Sequence, residues 1–221
     1  MYMITKEVFD FLSDLGEHNN KVWFDANKKR YESVRQQMLH FAGNWITMFE
    51  EDEPFVVGMD PKKCIFRINR DVRFSANKDP YKTNMGTYLC DGGKNSELGG
   101  YYLHIEPGKS FYGGGIYMPS GPQLEKIRQE IDYNLEEWIS IVEGKDFKGH
   151  FGELSRENAL KKAPKGYEES HPAISYLKLK GFVASKSLDD EVILQPSFMQ
   201  TLLSLSKSIQ PMIHFLNRAC K

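Results

Sequence analysis

A helical repeat of apolar residues between Asp25 and Glu50 constrains the fold more than any other feature of the sequence. The large apolar residues recur every three or four positions, the spacing that places side chains on one face of an α-helix. They are Tyr31, Val34, Met38, Phe41, Trp45 and Met48. A long helix with one apolar face must bury that face against another element, and we expect this one to pack across a β-sheet.

Strand-like segments follow this helix without helices between them. The stronger candidates are rich in Tyr, Phe and Ile, and the weaker ones are short and apolar. The stronger segments are residues 83–90, 101–106 and 111–117, the weaker ones are 55–59 and 64–69, and a late candidate covers 179–185. A Pro-Gly turn at 106–109 predicts an antiparallel hairpin.

Two further helices complete the predicted architecture. One begins near Ser120 and Pro122 and carries an apolar face as far as Val142, and the other follows Pro196 and is interrupted by Pro211. Strands and helices do not alternate regularly, which excludes a doubly wound parallel sheet. We predict a single α+β domain over residues 1–221, with a mainly antiparallel sheet of about five strands packed against the long N-terminal and central helices.

Composition limits the cellular setting. No apolar run reaches the roughly 18 residues of a membrane span, and the N-terminus lacks the basic start of a secretion signal. The three cysteines form no Cys-x-x-Cys pair, which is typical of free thiols in a reducing compartment. We expect a cytoplasmic protein without a membrane partner.

The segment from Lys62 to Lys82 is the strongest candidate for a binding site. It contains seven basic residues and two acids, a net charge of +5 in a chain whose net charge is −1. Apolar residues alternate with the arginines, so we expect the segment to line the main concave site, with Val72 and Phe74 in the core. Guanidinium and ammonium groups there suit a phosphate or carboxylate. The predicted ligand-binding residues of this segment are Arg67, Arg70, Arg73, Ser75, Lys78, Tyr81 and Lys82. Alternatively, Asp71 and other acids pair with the arginines as structural salt bridges.

Three polar residues alternate along the 101–106 strand candidate. Tyr102, His104 and Glu106 share one face because side chains repeat every two residues in a strand. An imidazole beside a carboxylate can perform acid–base chemistry, so His104 and Asp71 are the candidate catalytic residues and Tyr102 a candidate ligand contact. The spacing supplies no third metal ligand, so we predict no metal site, and no pattern specifies a cofactor.

The next strand candidate contains the run Gly113–Gly115. A glycine here allows either a ligand or a neighbouring strand to approach the backbone closely, and close strand packing is the favoured interpretation. Gly114 and, at the strand end, Tyr117 are nevertheless included among the candidate ligand-binding residues.

The chain resembles an uncharacterised family, domain-of-unknown-function family 2461, over nearly its whole length. The resemblance rests on FRINRDVRFSANKDPYKTN, NNKVWFDANKKRYE, SFYGGGIYMP and LKKAPKGYEESHPAISYLKLKGF. Where the family pattern has Lys, Asp and Thr, this chain has Ala76, Asn77 and Asp79. The family has no established activity, so the resemblance implies no mechanism.

Three hypotheses follow for the function. The first is a protein that binds an anionic small ligand, preferably a phosphorylated one, at the Arg- and Lys-rich segment, with or without catalysis. The second is a nucleic-acid-binding module in which tyrosines stack on bases. These tyrosines are Tyr81, Tyr101, Tyr102 and Tyr117. The third is a scaffold protein whose arginines are structural.

Overall fold

The computed structural model describes residues 3–221, and it confirms the α+β class. The helices of this range are α1 (Lys6–Glu17), α2 (Lys21–Ala26), α3 (Lys28–Phe49), α4 (Pro61–Cys64), α5 (Gly121–Tyr133), α6 (Leu135–Val142), α7 (Lys145–Phe151), α8 (Ile174–Leu177), α9 (Asp190–Ile193) and α10 (Phe198–Cys220). The strands are β1 (Met85–Cys90), β2 (Gly100–Ile105), β3 (Phe111–Ile116) and β4 (Phe182–Ser187). They form one antiparallel sheet in the order β1-β2-β3-β4.

The sheet has four strands in the described range, so the prediction of about five was slightly too high. Residues 55–59 instead contain a 3₁₀ turn, Pro54–Val56, because Pro54 starts a helical turn and Gly58 has a positive φ of 74°. Residues 64–69 begin in α4, which Asp60 caps, and then form only two isolated bridges, Ile65 to Thr87 and Asn69 to Tyr81.

The predicted long helix is confirmed as α3, although it starts later than Asp25. Asn20 accepts a hydrogen bond from the Trp23 amide and starts the separate short helix α2, and Asn27 separates α2 from α3. The predicted central helix is likewise two helices, α5 and α6, which meet at Asn134.

Pro211 does not interrupt the C-terminal helix, contrary to the prediction. Proline removes one backbone hydrogen bond from a helix, and burial of the side chains on both sides of the proline can outweigh that loss. In α10 the flanking side chains of Ile209, Met212 and Ile213 are fully buried. None of the described helices combines the length and apolar character that a bilayer crossing requires.

The chain divides into two compact units. Unit 1 comprises the described residues up to Leu89, with Tyr102–Tyr112 and Ser187–Leu203, and unit 2 comprises Cys90–Tyr101, Gly113–Lys186 and Ser204–Lys221. In unit 1 the buried Trp45 ring packs edge-on against Tyr112 at 6.1 Å. In unit 2 the buried Trp138 ring lies 5.0 Å from the Phe215 ring. Each change of unit falls inside a strand or helix, namely within β1, β2, β3, β4 and α10.

The triple glycine of β3 permits close approach of the neighbouring strand, as favoured from the sequence. A Cβ on Gly113 would lie 2.7 Å from the Ala184 carbonyl oxygen, and one on Gly115 only 2.0 Å from that of Phe182. Gly115 also has a φ of 117°, which a side chain rarely tolerates. Gly114 is buried beneath Ile209 and Ile213 of α10. No ligand can reach it there, so it does not belong to the candidate site.

Candidate functional site

The predicted basic segment, Lys62 to Lys82, begins in α4, and its greater part forms a loop between Phe66 and Lys82, which we call the basic loop. Backbone hydrogen bonds close its base: the Lys82 amide donates to the Ile68 carbonyl at 2.8 Å and the Arg70 amide to the Pro80 carbonyl at 2.9 Å. The charges therefore project from a closed loop, and no paired strand in the core carries them.

Tyr81 anchors the loop and is not a ligand contact. Its ring is 7% exposed and stacks on Phe24 at 4.0 Å between centroids. The Asn19 side chain bonds both the amide and the carbonyl of Tyr81, at 3.1 and 3.0 Å. Tyr101 is fully buried. Neither ring can stack on a nucleic-acid base, so these two residues are removed from that hypothesis.

Phe74 lies at the exposed tip of the basic loop, although the alternation with arginine predicted a core position. Its side chain is 96% exposed, and the Arg73 guanidinium lies 5.8 Å from its ring centroid. An exposed aromatic ring in this position can be covered by a binding partner without first leaving a packed core. The loop-forming residues Ser75-Ala76-Asn77 that follow it were the sequence signal for this exposure.

Arg73 is paired with Asp71. Two of its nitrogens donate to the two Asp71 oxygens at 2.9 and 2.7 Å, in an exposed pair. Hydrogen bonds from Arg73 lower the pKa of Asp71 below its usual range, and the charge of Arg67 adds a smaller effect. A carboxylate held in this way is a weaker base, so Asp71 is no longer an acid–base candidate.

Two further cations of the loop, Arg70 and Lys78, donate hydrogen bonds to neutral groups. Arg70 donates to the Asp79 carbonyl at 3.2 Å and to the Ser75 hydroxyl at 3.3 Å, and Lys78 donates to the Val72 carbonyl at 3.0 Å. Arg67 is exposed and forms no ion pair with a carboxylate of residues 3–221. Arg70 and Lys78 therefore order the loop, and Arg67 extends from it. No carboxylate of the described residues forms an ion pair with any of the three.

His104 lies at the centre of a hydrogen-bonded triad on β2, as the alternation along the strand predicted. The Tyr102 hydroxyl lies 2.9 Å from Nδ1 of His104, and Nε2 lies 3.0 Å from Glu106. An ionised carboxylate only accepts hydrogen bonds, so Nε2 donates to Glu106, and in the neutral imidazole Nδ1 then accepts from the tyrosine. Thr83 donates to the other Glu106 oxygen at 3.0 Å. The Phe111 ring stacks on the imidazole at 4.7 Å.

The base of the basic loop borders this triad. The Phe66 ring meets the Tyr102 ring edge-on at 6.0 Å, and the Lys82 ammonium lies 5.5 Å from the Phe66 centroid. Gly86 makes room for the tyrosine, since a Cβ there would lie 2.7 Å from its hydroxyl. The Phe66 ring thus links Lys82 to the triad within unit 1.

We expect Tyr102→Phe to change how stability depends on alkaline pH. Burial, and then the charge of Glu106, raises the pKa of Tyr102 to about 12, whereas an unfolded tyrosine ionises near pH 10. The un-ionised Tyr102 side chain therefore favours the folded state fully below pH 10. This contribution to the free energy of unfolding is lost as the pH rises towards 12, because the unfolded tyrosine ionises first. Wild type should therefore lose about 1 kcal/mol more than the variant between about pH 8 and about pH 11, measured by urea unfolding. Tyr133→Phe, at an exposed tyrosine, is the control, and parallel pH profiles for wild type and Tyr102→Phe would contradict the assignment.

The basic loop does not line the cavity found in unit 2, so the prediction that it lines the main concave site is not supported. That cavity measures about 510 Å³, and Tyr117 is the one predicted site residue in its wall. Its polar residues were not predicted as a site because they come from separate segments. They are Ser155, Glu157, Asn158 and Lys180. Among residues 3–221, no group of three His, Cys, Asp or Glu side chains is placed to hold a metal ion.

Residues 7–215 match the model of a family described as a conserved hypothetical protein, DUF2461. The chain belongs to this family. The match includes both the basic loop and the histidine triad, so the candidate site lies within the part that defines membership. No curated protein and no solved structure matched the chain.

Proposed function

We propose that this protein binds an anionic small ligand, a phosphorylated one by preference, on the basic loop. The observation that carries the proposal is the bonding of Arg67, Arg70 and Lys78. Arg70 and Lys78 contact neutral oxygens, and Arg67 pairs with no carboxylate of the described residues. An anion that contacts the loop can accept charge-assisted hydrogen bonds from cations whose charge no carboxylate of the protein neutralises.

The other predicted loop residues have graded roles in this proposal. Ser75 lies beside the Arg70 guanidinium and orients it. Arg73 already forms an ion pair with Asp71, so a ligand must displace the Asp71 carboxylate to bind the Arg73 guanidinium. Lys82 lies at the base of the loop next to the triad. We propose that His104 is the acid–base group if a bound ligand is also transformed.

The cellular setting belongs to the same proposal. Cys64, Cys90 and Cys220 are free thiols. Free thiols persist in the reducing cytosol, where phosphorylated metabolites are also abundant. We therefore propose a cytoplasmic protein.

Binding of inorganic phosphate and of a nucleoside triphosphate, measured by titration calorimetry, tests the proposal. A charge-assisted hydrogen bond contributes roughly 1.5–3 kcal/mol, so Arg67→Gln should weaken triphosphate binding by about tenfold or more. Lys109→Gln removes the same charge from an exposed site in the same unit and is the matched control. Equal affinity of Arg67→Gln and wild type, or no saturable binding of either anion, would refute the site.

Single-stranded nucleic acid is a second candidate, and the exposure of Phe74 favours it. A ring at the tip of a cationic loop can stack on a base while the cations contact phosphates, and such stacking contributes about 1–3 kcal/mol. Phe74→Ala should then weaken oligothymidylate binding about tenfold and leave the binding of inorganic phosphate unchanged. The oligonucleotide affinity should also fall steeply with salt concentration. A flat salt dependence would exclude this candidate and leave the small anion.

A further inference from the structure

The cavity in unit 2 is independent of the basic loop and has the composition of a binding site. Its volume of about 510 Å³ lies in the range of small-molecule sites. One part of its wall is apolar and includes Tyr117, Met118 and Leu124. Tyr117 and Met118 are 63% and 80% exposed, which is unusual for adjacent large apolar side chains.

Charged side chains in this cavity lack the partners that their neighbours have. Lys178 forms an ion pair with Glu169 at 2.6 Å, but Lys180, two residues later, pairs with no carboxylate of residues 3–221. In the same range, the Glu157 carboxylate and the Asn158 amide also form no hydrogen bond. These three side chains are exposed, so one cation, one anion and one amide line the open cavity without a partner in the protein.

The three side chains come from two segments, residues 155–160 and 178–183, which backbone hydrogen bonds join to each other. The Leu160 amide donates to the Lys178 carbonyl and the Ser155 amide to the Val183 carbonyl, each at 2.8 Å. Residues 155–160 are thus fixed at both ends to residues 178–183. Glu157 and Asn158 lie within the first segment and Lys180 within the second.

Three local features fix these two segments further. The buried Arg128 donates to the carbonyls of Leu177 and Leu179, at 2.7 and 3.2 Å. Gly181 lies so close to Tyr117 that a Cβ would be 2.3 Å from the Tyr117 carbonyl oxygen. Asn158 has a φ of 61°, a left-handed conformation that asparagine adopts more often than most other residues with a side chain.

We infer that this cavity binds a small zwitterion with an apolar body, of the class of an aromatic α-amino acid or a dipeptide containing one. The Lys180 ammonium meets the ligand carboxylate, and the Glu157 carboxylate meets the ligand ammonium. Asn158 and Ser155 supply hydrogen bonds, and the apolar wall takes the side chain. A ligand with one charge alone would leave the opposite protein charge unpaired, which disfavours it.

The test uses L-phenylalanine as the probe, with phenethylamine and 3-phenylpropionate as analogues that each lack one charged group. Titration calorimetry on the full chain should give saturable binding of phenylalanine with a dissociation constant of about 1 mM or lower. Lys180→Gln should weaken phenylalanine and phenylpropionate about tenfold and leave phenethylamine unchanged. Glu157→Gln should weaken phenylalanine and phenethylamine and leave phenylpropionate unchanged.

Matched controls separate these effects from changes in net charge or folding. Lys162→Gln and Glu136→Gln make the same charge changes at exposed positions of unit 2 outside the cavity wall, and they should not alter phenylalanine binding. Asn158→Gly removes the amide while relieving the left-handed backbone, so it should weaken binding without loss of stability. Failure of phenylalanine to saturate, or equal losses in the cavity and control variants, would overturn the inference. Neither result bears on the basic loop, which lies in unit 1.

Discussion

Gly115→Ala is expected to lower the free energy of unfolding by about 3–5 kcal/mol, combining backbone strain with overpacking. The new Cβ would lie 2.0 Å from the Phe182 carbonyl oxygen, and the φ of 117° is one that alanine rarely adopts. A backbone carbonyl cannot rotate away as a side chain can, so β3 and β4 must separate locally. Chemical denaturation of wild type and variant measures the loss.

Gly58→Ala is the control for the backbone contribution alone. Gly58 also has a positive φ, of 74°, but a Cβ there meets nothing within 4 Å. Its loss should be limited to about 1–2 kcal/mol, the cost of a left-handed conformation for alanine. Equal losses for the two variants would mean that β3 and β4 are farther apart than described.

Trp138→Ala is expected to lower the free energy of unfolding by about 3–5 kcal/mol, the usual cost of removing a large buried ring. The side chain is fully buried in unit 2 and contacts rings from three elements. These are Tyr176 of α8, Phe182 of β4 and Phe215 of α10. The variant therefore removes the contact that these three elements share.

Trp138→Phe separates ring packing from the indole nitrogen. That nitrogen is buried and has no hydrogen-bond partner among residues 3–221. Phenylalanine keeps an aromatic ring and removes an unsatisfied donor, so its loss should stay below about 1.5 kcal/mol. A Phe variant as unstable as the Ala variant would show that the indole nitrogen has a partner or that the site cannot adjust.

Local periodicity predicted the parts of the structure that depend on one element alone. The apolar face of α3 and the shared face of Tyr102, His104 and Glu106 follow from helix and strand geometry, without knowledge of what lies opposite. The position of Phe74 was predicted wrongly because alternate residues face opposite sides only in a paired β-strand. The segment that contains Phe74 forms only isolated bridges. Pro211 was misjudged because its cost depends on the burial of α10, which the local sequence does not reveal.

The cavity of unit 2 could not be predicted in this way. Its wall combines residues 117–124, 155–158 and 180–183, which are brought together by backbone hydrogen bonds and by a buried arginine. Lys178 and Lys180 have the same side chain two residues apart, and only the pairing of Lys178 with Glu169 distinguishes them. The sequence gives the chemistry of each side chain, but the fold decides which side chains remain unpaired.

The positions at which the chain changes unit bear on how such a protein can be built. Unit boundaries usually fall in exposed linkers, which is where modules can be joined, excised or exchanged. Here all five changes lie inside β1, β2, β3, β4 or α10, so no contiguous fragment contains one unit alone. A chain that starts at Cys90 keeps all of unit 2 but also carries Tyr102–Tyr112 and Ser187–Leu203 of unit 1. Experiments on either unit therefore require the full chain, with single substitutions in place of truncation.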